Sequence, residues 1–257
     1  TPFERNEIAY DQLARNMDFW LYSKLSGIVV LGSNGEFVSL SSEEKRKLIS
    51  TVCDLSMDSN KPVIAGTGCE STRETIELTK YASEVGAAAA LVLSPNYYKR
   101  SMTDSIIKNF YIEVADASPI PLILYNMPAN SSINLSSKLV VELSKHPNII
   151  GVKDSSGNIV QIEEIVHKSS ANFTVFAGSA SFLFASLVVG AKGGTLALAN
   201  VLPNECAKVQ ELVEEGKYNE AKNLQFKLLE INNAVTSRWG LAGWKASMEL
   251  QGVYGGE

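Results

Sequence analysis

Two kinds of segment alternate with great regularity along this 257-residue chain. Short apolar runs typical of buried strands are each followed by a longer stretch in which apolar residues recur at helical spacing. The repeat is roughly 20–35 residues, the size of one βα unit. Alternation of this length favours a parallel barrel over a two-domain open sheet. Seven strands are predicted, at residues 27–32, 62–67, 89–94, 121–126, 149–155, 173–178 and 194–199.

The strand count sets the predicted architecture. A closed (β/α)₈ barrel needs eight strands, so we expect the missing one immediately before Thr1-Pro2-Phe3, clipped from the given chain. That Pro-containing segment is predicted to turn straight into an amphipathic helix at about residues 8–25. The sequence thus predicts an α/β fold, a (β/α)₈ TIM barrel over residues 1–200. Three helical segments beyond it predict a C-terminal helical extension, residues 201–257, packed on the barrel.

Charge and composition exclude several classes of function. The net charge is −5 and basic residues form no run, which argues against a nucleic-acid surface. No apolar run approaches the length of a membrane span. Three widely spaced cysteines, an odd number, suggest reduced thiols in a reducing compartment.

In such a barrel the active site lies where strands end and helices begin. The residues at those positions offer one amine, several hydroxyl groups and two amides. They are Ser33, Asn34, Thr67, Ser94, Tyr97, Tyr98, Tyr125, Lys153, Ser155, Gly178, Ser179 and Asn200. His146 and His167 are predicted at helix ends, away from this face. The set therefore disfavours a His/Asp/Glu metal site and a Ser-His-Asp hydrolase.

Lys153 allows two interpretations. Its strand is apolar on both faces and should be central in the sheet. A lysine buried there without a partner commonly loses its proton, and the neutral amine is a nucleophile suited to Schiff-base formation with a ketone. Alternatively, Lys153 sits at the strand end and snorkels into water or pairs with a carboxylate. This stretch alone leaves both readings open.

Three further features have a structural and a functional interpretation. Tyr125 is either a core aromatic with a satisfied hydroxyl or an acid/base group beside an imine. Ser33-Asn34-Gly35 is either an ordinary strand-to-helix turn or a nest that receives a carboxylate. Gly178-Ser179 is either a tight turn with an N-cap or a helix N-terminus that holds an anion.

Four stretches together carry a family resemblance that covers essentially the whole chain in order. They are Gly32–Glu36, Ser94–Tyr98, Leu124–Asn130 and Gly151–Gly157. They resemble the dihydrodipicolinate synthase/N-acetylneuraminate lyase superfamily, whose members are pyruvate-handling class I aldolases on (β/α)₈ barrels. Within it, the sequence is most similar to the 4-hydroxy-2-oxoglutarate aldolases.

The resemblance implies roles for individual residues. Lys153 would form the imine with the keto carbon, and Tyr125 would shuttle the proton. Ser33 and Asn34 would hold the pyruvyl carboxylate, with Ser33 linking Tyr125 into a hydroxyl relay. Tyr98 matches a family tyrosine that reaches into the site of a neighbouring subunit. The predicted substrate-binding set is completed by Ser155, Asn130, Gly178 and Ser179.

Departures from the family pattern bear on the activity. Dihydrodipicolinate synthases carry an arginine where this chain has Asn130, and their Thr-Thr pair is here Ser33-Asn34. Both departures argue against dihydrodipicolinate synthase. Ser132 stands where a glycine is usual.

The predicted reaction is cleavage of 4-hydroxy-2-oxoglutarate to pyruvate and glyoxylate, without metal or cofactor. The alternatives are an aldolase for 2-keto-3-deoxy sugar acids, such as L-threo-3-deoxy-hexulosonate, or a silent barrel that binds oxoacids as a sensor. The predicted partners are a small 2-oxoacid and further copies of this chain in a homotetramer, a dimer of dimers, with neither nucleic acid nor membrane. The compartment would be mitochondrial for a eukaryotic 4-hydroxy-2-oxoglutarate aldolase and cytoplasmic otherwise.

Overall fold

The computed structural model describes residues 1–257 apart from the side chain of Ser237. The chain begins with a small antiparallel hairpin of β1 (Phe3–Glu4) and β2 (Glu7–Ile8). Its two turn residues, Arg5 and Asn6, have φ angles of 54° and 63°. The expectation of a direct turn into the first helix is therefore wrong. Positive φ at both central residues defines the tight hairpin turn that asparagine favours.

Seven further strands form one parallel sheet in which every strand pairs with its neighbours in chain order. They are β3 (Ile28–Val30), β4 (Val63–Gly66), β5 (Ala89–Leu93), β6 (Leu122–Asn126), β7 (Ile149–Asp154), β8 (Thr174–Ala177) and β9 (Gly193–Gly194). The two outermost strands, β3 and β9, line the same cavity as Lys153 of β7. The sheet therefore curls around a common interior, which confirms the predicted barrel-type α/β fold.

Helices follow the strands and alternate with them. They are α1 (Tyr10–Leu21), α2 (Ser42–Ser56), α3 (Thr72–Glu84), α4 (Asp104–Ala117), α5 (Pro128–Ser131), α6 (Ser137–Leu143), α7 (Ile159–Lys168), α8 (Leu183–Val188), α9 (Pro203–Glu214), α10 (Tyr218–Asn232) and α11 (Arg238–Leu250). The sequence Ser41-Ser42-Glu43-Glu44, a hydroxyl followed three residues later by a carboxylate, predicts a capping box at the start of α2, and the structure confirms it. Ser41 Oγ accepts from the backbone N–H of Glu44, whose carboxylate accepts from the N–H of Ser41.

The last predicted strand, residues 194–199, is wrong in its extent. β9 contains only Gly193 and Gly194, and the apolar residues after it form a short 3₁₀ helix, Ala197–Asn200. Leu198 within it is fully buried against Ala177 and Leu183. A short apolar run can be buried as a turn as well as a strand, so composition alone could not separate the two.

Alternation along the strands separates the interior of the barrel from the helix layer. On β6, Ile123 and Tyr125 pack in the small interior cluster. Leu122 and Leu124 pack in the large cluster beneath α4, α6 and α7. Asn126, the next residue on that outer side, is fully buried as well. Among the helices described, none is long and apolar enough to cross a membrane.

Candidate active site

Tyr125 and Lys153 meet at the carboxyl ends of β6 and β7. The two residues are direct partners in the parallel pairing of these strands. Their exposed fractions are 6% and 7%, and Lys153 Nζ lies 4.2 Å from the centroid of the Tyr125 ring. Because the carboxyl ends of barrel strands carry the catalytic residues in this architecture, this pair marks the candidate site.

A bulge sets this pairing. Leu122 pairs with Ile149, but Ile123 pairs with Gly151, so Ile150 is an extra residue on β7. Continued regular pairing from Leu122 would have placed Val152 opposite Tyr125. The inserted residue shifts the register by one position and brings Lys153 to the tyrosine.

Ser33 joins the pair from the end of β3. Its Oγ lies 3.2 Å from Tyr125 Oη, a hydrogen bond in which either hydroxyl can donate. Ser33 begins the 3₁₀ turn Ser33–Gly35, two residues after Leu31, whose φ of 62° is left-handed. A Cβ on Gly66 of the neighbouring strand would lie 2.1 Å from Leu31 O, so only glycine permits this turn. The local backbone thus aims Ser33 at the tyrosine.

The surroundings of Lys153 distinguish between its two interpretations. Within the described part of the chain, no carboxylate lies within salt-bridge distance of its ammonium group. Its burial also argues against a side chain that snorkels into water. The amine faces an aromatic ring and an open space instead.

That space is a cavity of about 460 Å³ whose lining includes Lys153, Ser33 and Asn34. Apolar side chains such as Val29 and Phe176 form other parts of its wall. A mostly apolar cavity with a few convergent polar groups is the usual form of a small-molecule site. The combination of an amine, two hydroxyl groups and a polar turn suits a small carbonyl compound with a carboxylate.

Gly178 and Ser155 lie in close contact beside the lysine. The N–H of Gly178 donates to Asp154 O at 2.7 Å. A Cβ on Gly178 would lie 1.9 Å from Ser155 Oγ, so this position admits only glycine. Ser155 Oγ is buried and has no hydrogen-bond partner among the described atoms, which leaves its hydroxyl available. Ser179 Oγ accepts from the N–H of Ser181 and caps the short helix that follows.

Three predicted residues are exposed, and two of them, Tyr98 and Asn130, lie outside this cluster. Tyr98 is 71% exposed and packs edge-to-face against Tyr97, with ring centroids 5.1 Å apart. Asn130 is exposed on α5, and Asn34 is exposed at the cavity rim. The structure therefore brings together Lys153, Tyr125 and Ser33, with Ser155 and Gly178 alongside, whereas neither Tyr98 nor Asn130 lines the cavity of Lys153 in the described chain.

The sequence prediction missed Asp154 and Asn126, which directly follow Lys153 and Tyr125. Both are fully buried and hydrogen-bonded to each other at 2.8 Å. The alternation of side chains along a strand could have found them, because it places both on the outer side when Lys153 and Tyr125 point inward.

The structure describes no group of three or more His, Cys, Asp or Glu side chains that could hold a metal ion. The three cysteine thiols it describes are free and buried, and burial raises the pKa of Cys69 and of Cys206 to about 12. These thiols are poor nucleophiles at neutral pH.

Comparison with known proteins agrees with this geometry. A sequence model of the dihydrodipicolinate synthetase family matches residues 1–257. An Emericella nidulans protein named a probable mitochondrial 4-hydroxy-2-oxoglutarate aldolase is 39% identical over 86% of this chain and 73% of its own length. A Hypocrea jecorina protein named L-threo-3-deoxy-hexylosonate aldolase is 37% identical over 90% of this chain and 77% of its own.

A solved structure extends the similarity to the whole fold. The chloride-inhibited dihydrodipicolinate synthase from Acinetobacter baumannii, complexed with pyruvate, superposes with a TM-score of 0.93 at 28% identity. The match covers 98% of this chain and 86% of that one.

Proposed function

This chain belongs to the dihydrodipicolinate synthetase family, and on that premise we propose that it is a class I, Schiff-base aldolase that cleaves 4-hydroxy-2-oxoglutarate to pyruvate and glyoxylate. One observation carries the proposal. A buried lysine without a carboxylate partner in the described chain lies 4.2 Å from the ring of a buried tyrosine, whose hydroxyl is hydrogen-bonded to Ser33.

The chemistry follows from those groups. The Lys153 amine attacks the keto carbon and water leaves, which gives a protonated imine. Tyr125 removes the proton of the 4-hydroxyl group while the C3–C4 bond breaks, so glyoxylate departs and the electron pair enters the imine as an enamine. Protonation of the enamine at C3 and hydrolysis of the imine then release pyruvate and the free lysine.

Ser33 and Asn34 are proposed to bind the carboxylate next to the keto group. Both line the cavity at the end of β3, on the turn that faces Lys153. Ser33 Oγ also bonds to Tyr125 Oη, so one residue contacts the carboxylate and carries the proton relay. Ser155, Gly178, Ser179 and Asn130 are proposed to complete substrate binding.

The preferred substrate is argued from two features. The relative named as a 4-hydroxy-2-oxoglutarate aldolase is 39% identical, and Ser33-Asn34 and Asn130 depart from the synthase pattern. A 2-keto-3-deoxy sugar acid is the second candidate, supported by the relative named L-threo-3-deoxy-hexylosonate aldolase at 37% identity. The two reactions release different aldehydes.

Trapping with pyruvate and borohydride tests the Schiff base. We expect one reduced pyruvyl adduct per chain, which peptide mass spectrometry places on Lys153, and no adduct in Lys153→Ala or Lys153→Arg. Equal labelling of these variants would refute the assignment. Activity should persist in EDTA, since the proposed steps need no metal.

Aldehyde analysis then identifies the substrate. The protein is incubated with 4-hydroxy-2-oxoglutarate and, separately, with L-threo-3-deoxy-hexulosonate, and the aldehyde product is identified and its rate compared. Faster release of glyoxylate supports the first candidate, whereas faster release of a three-carbon hydroxyaldehyde supports the second. Condensation of pyruvate with aspartate semialdehyde would instead indicate a synthase.

Assembly and location are part of the same proposal. We propose a homotetramer, a dimer of dimers, in which Tyr98 reaches a neighbouring site, because its ring is exposed and does not line the cavity of Lys153 in its own chain. The name of the 39% identical relative favours a mitochondrial location. Light scattering of the purified protein tests the first point, and organelle fractionation of the source cells tests the second.

A further inference from the structure

Four polar side chains form a closed hydrogen-bonded ring on the outer side of β6 and β7, which we call the outer ring: Asn126, Asn134, Asp154 and Gln161. Asn126, Asp154 and Gln161 are buried, whereas Asn134 lies at the surface. Asn126 and Asp154 are direct strand partners, one residue beyond the partners Tyr125 and Lys153. Because side chains alternate along a strand, the first pair lies behind the second, on the opposite side of the sheet.

Hydrogen bonds run around the outer ring in two paths, both of which begin at the Asn126 amide and end at the Asp154 carboxylate. Asn126 Nδ2 donates to Asp154 Oδ2 at 2.8 Å and to Asn134 Oδ1 at 2.9 Å. Asn134 Nδ2 donates to Gln161 Oε1 at 2.8 Å, and Gln161 Nε2 returns to Asp154 Oδ2 at 2.9 Å. The carboxylate oxygen accepts from both sides, so it fixes the orientation of every amide in the ring.

Asp154 is an unusual residue for this position. It is fully buried, and no Lys, Arg or His side chain in the described part of the chain forms an ion pair with it. Its other oxygen, Oδ1, accepts from the N–H and the hydroxyl of Ser156. Four hydrogen bonds thus replace hydration of a charge whose burial would otherwise be very costly.

The outer ring also fastens the backbone around the candidate site. Leu135 N donates to Asn126 Oδ1 at 2.9 Å, which closes the loop that follows β6. Ser155 N donates to Asn126 O at 2.8 Å, and Gly178 N donates to Asp154 O at 2.7 Å. The same two residues therefore join three consecutive strand ends and one loop.

We propose that the outer ring positions Lys153 and Tyr125 for reaction, with Asp154 as its key positioning residue, an inference that rests on the proposed Schiff-base function. A hydrophobic pair would hold the strands together equally well. It would not set the height and rotation of the two strand ends against each other, whereas a ring of directed hydrogen bonds does. Displacement of a reacting group by about 1 Å can cost a hundredfold in rate.

The first variant is Asp154→Asn. The new amide either turns its NH₂ group toward Asn126 and Gln161, whose amides donate, and breaks the ring, or turns it toward the backbone N–H of Ser156 and loses the hydrogen bond that anchors the ring to the end of β7. We expect kcat to fall about 10–100-fold, with KM nearly unchanged. If this variant does not fold, kcat of Gln161→Met is compared with that of the wild type instead. This substitution removes the donor that α7 contributes to the ring.

A second variant should restore the ring. In Asn126→Asp/Asp154→Asn the carboxylate moves to the other strand, and every hydrogen bond can run in the opposite direction once Asn134 and Gln161 rotate their amides. Asn126→Asp alone places two carboxylates side by side. Its kcat should therefore be lower than that of Asp154→Asn and that of the double variant. Recovery of kcat in the double variant, above both single variants, is the result we expect.

Asn148→Asp is the matched control. Asn148 directly precedes β7 at its other end, and its Nδ2 donates to the carbonyls of Ala115 at 2.9 Å and Ser118 at 3.0 Å. The substitution makes the same amide-to-carboxylate exchange as Asn126→Asp, but at the opposite end of β7 from Lys153. It should lower the melting temperature while kcat, measured well below that temperature, stays at the wild-type value.

The outcomes separate the alternatives. Unchanged kcat in Asp154→Asn, or an equal loss in Asn148→Asp, overturns the proposal, because the ring would then contribute only stability. Failure of the double variant to regain activity also overturns it. The proposed function fails separately, if the wild-type protein gives no pyruvate–borohydride adduct at Lys153.

Discussion

At the residue scale, the hydroxyl of Tyr125 is the group whose removal tests the chemistry most directly. Tyr125→Phe retains the ring that packs against Lys153 but removes the proposed acid/base group. General acid–base catalysis typically contributes about 10²–10⁴-fold, and we expect kcat to fall within that range. Borohydride trapping at Lys153 should persist, because imine formation needs the amine and not the phenol.

Tyr111→Phe is the control for this substitution. The Tyr111 hydroxyl is buried and donates to Val92 O at 3.0 Å, on the outer side of the sheet. Its loss should cost about 0.5–1.5 kcal/mol of the free energy of unfolding and leave kcat unchanged. A Tyr125→Phe enzyme with wild-type kcat would assign Tyr125 to packing only.

Gly178 is the second informative residue. Gly178→Ala places a methyl group within 1.9 Å of Ser155 Oγ and 2.8 Å of Asp154 O, and the backbone oxygen cannot move freely. We expect a clear loss of activity and a lower melting temperature. Gly32→Ala is the control for stability, because its Cβ would meet only Val29 Cγ1, at an ordinary 3.8 Å. Normal activity in Gly178→Ala would show that the backbone around Ser155 and Gly178 can move to accept the methyl group without disturbing the site.

At the scale of elements, the start of α2 depends on the ionisation of Glu44. The hydrogen bonds from Ser41 lower the pKa of this carboxyl below its ordinary value of 4.5. A carboxyl whose folded pKa is lowered stabilises the fold at pH above its unfolded pKa, and the contribution disappears as pH falls through the folded pKa. The capping box should therefore weaken in acid.

Glu44→Gln tests this dependence. Urea unfolding at pH 7 should show the wild type as more stable, and the difference should shrink as the pH falls below about 4. Glutamine keeps an acceptor for the Ser41 N–H, so only the charge is removed. A difference that stays constant between pH 7 and pH 3 would contradict the assignment.

Local patterns made the elements and their order predictable. The spacing of Ser41 and Glu44 marks the start of α2, and two-residue alternation puts Lys153 on the same strand face as Gly151 and Ser155. The partner of Lys153 was not predictable in this way, because it depends on the bulge at Ile150. Nothing in the apolar run Ile149-Ile150 marks which residue is inserted, since the two residues are identical in type.

The outer ring likewise could not be predicted from local sequence patterns. The sequence contains Asn126, Asn134, Asp154 and Gln161 at separations with no common period. Only the adjacency of β6, β7 and α7 brings them together, and this is a property of the tertiary structure. Tyr125 and Lys153 could be predicted because each ends a recognisable strand, whereas a ring that spans a loop and a helix leaves no local pattern.

At the scale of the whole molecule, we propose that residues 201–257 form an extension that folds together with the barrel. Leu228 of α10 packs in one cluster with Ala177 and Leu183. Asn16 Nδ2 donates to Tyr254 O at 2.7 Å, and Tyr254 N donates back to Asn16 Oδ1 at 3.0 Å. These contacts join both ends of the chain.

Leu228→Ala tests this cooperation. Leu228 is 2% exposed, so its truncation should lower the free energy of unfolding by about 2–5 kcal/mol. The whole transition should move and remain single, by both fluorescence and circular dichroism. Ile231→Ala on the same helix, where the side chain is 41% exposed, should have little effect. Two separate transitions, with only one affected, would show an independently folding extension.

Tyr98 links the site to the proposed assembly. Its loop is held in place by Glu70, whose carboxylate accepts from the N–H groups of Asn96 and Tyr97, yet the Tyr98 ring is 71% exposed. A large aromatic side chain that is both fixed and exposed is suited to an interface. Tyr98→Phe should therefore lower activity, and Tyr97→Phe, its neighbour in the edge-to-face pair, should not.

Mixed assemblies decide whether Tyr98 acts across the interface. Subunits with Tyr98→Phe and subunits with Lys153→Ala are unfolded and refolded together, and hybrids are isolated by a tag on one of them. If Tyr98 is supplied in trans, the Tyr98 of the Lys153→Ala subunit acts at the intact lysine of its neighbour, and the hybrids are more active per intact lysine than the Tyr98→Phe parent. If isolated hybrids stay at the activity of the Tyr98→Phe parent, Tyr98 acts within its own chain or only packs there.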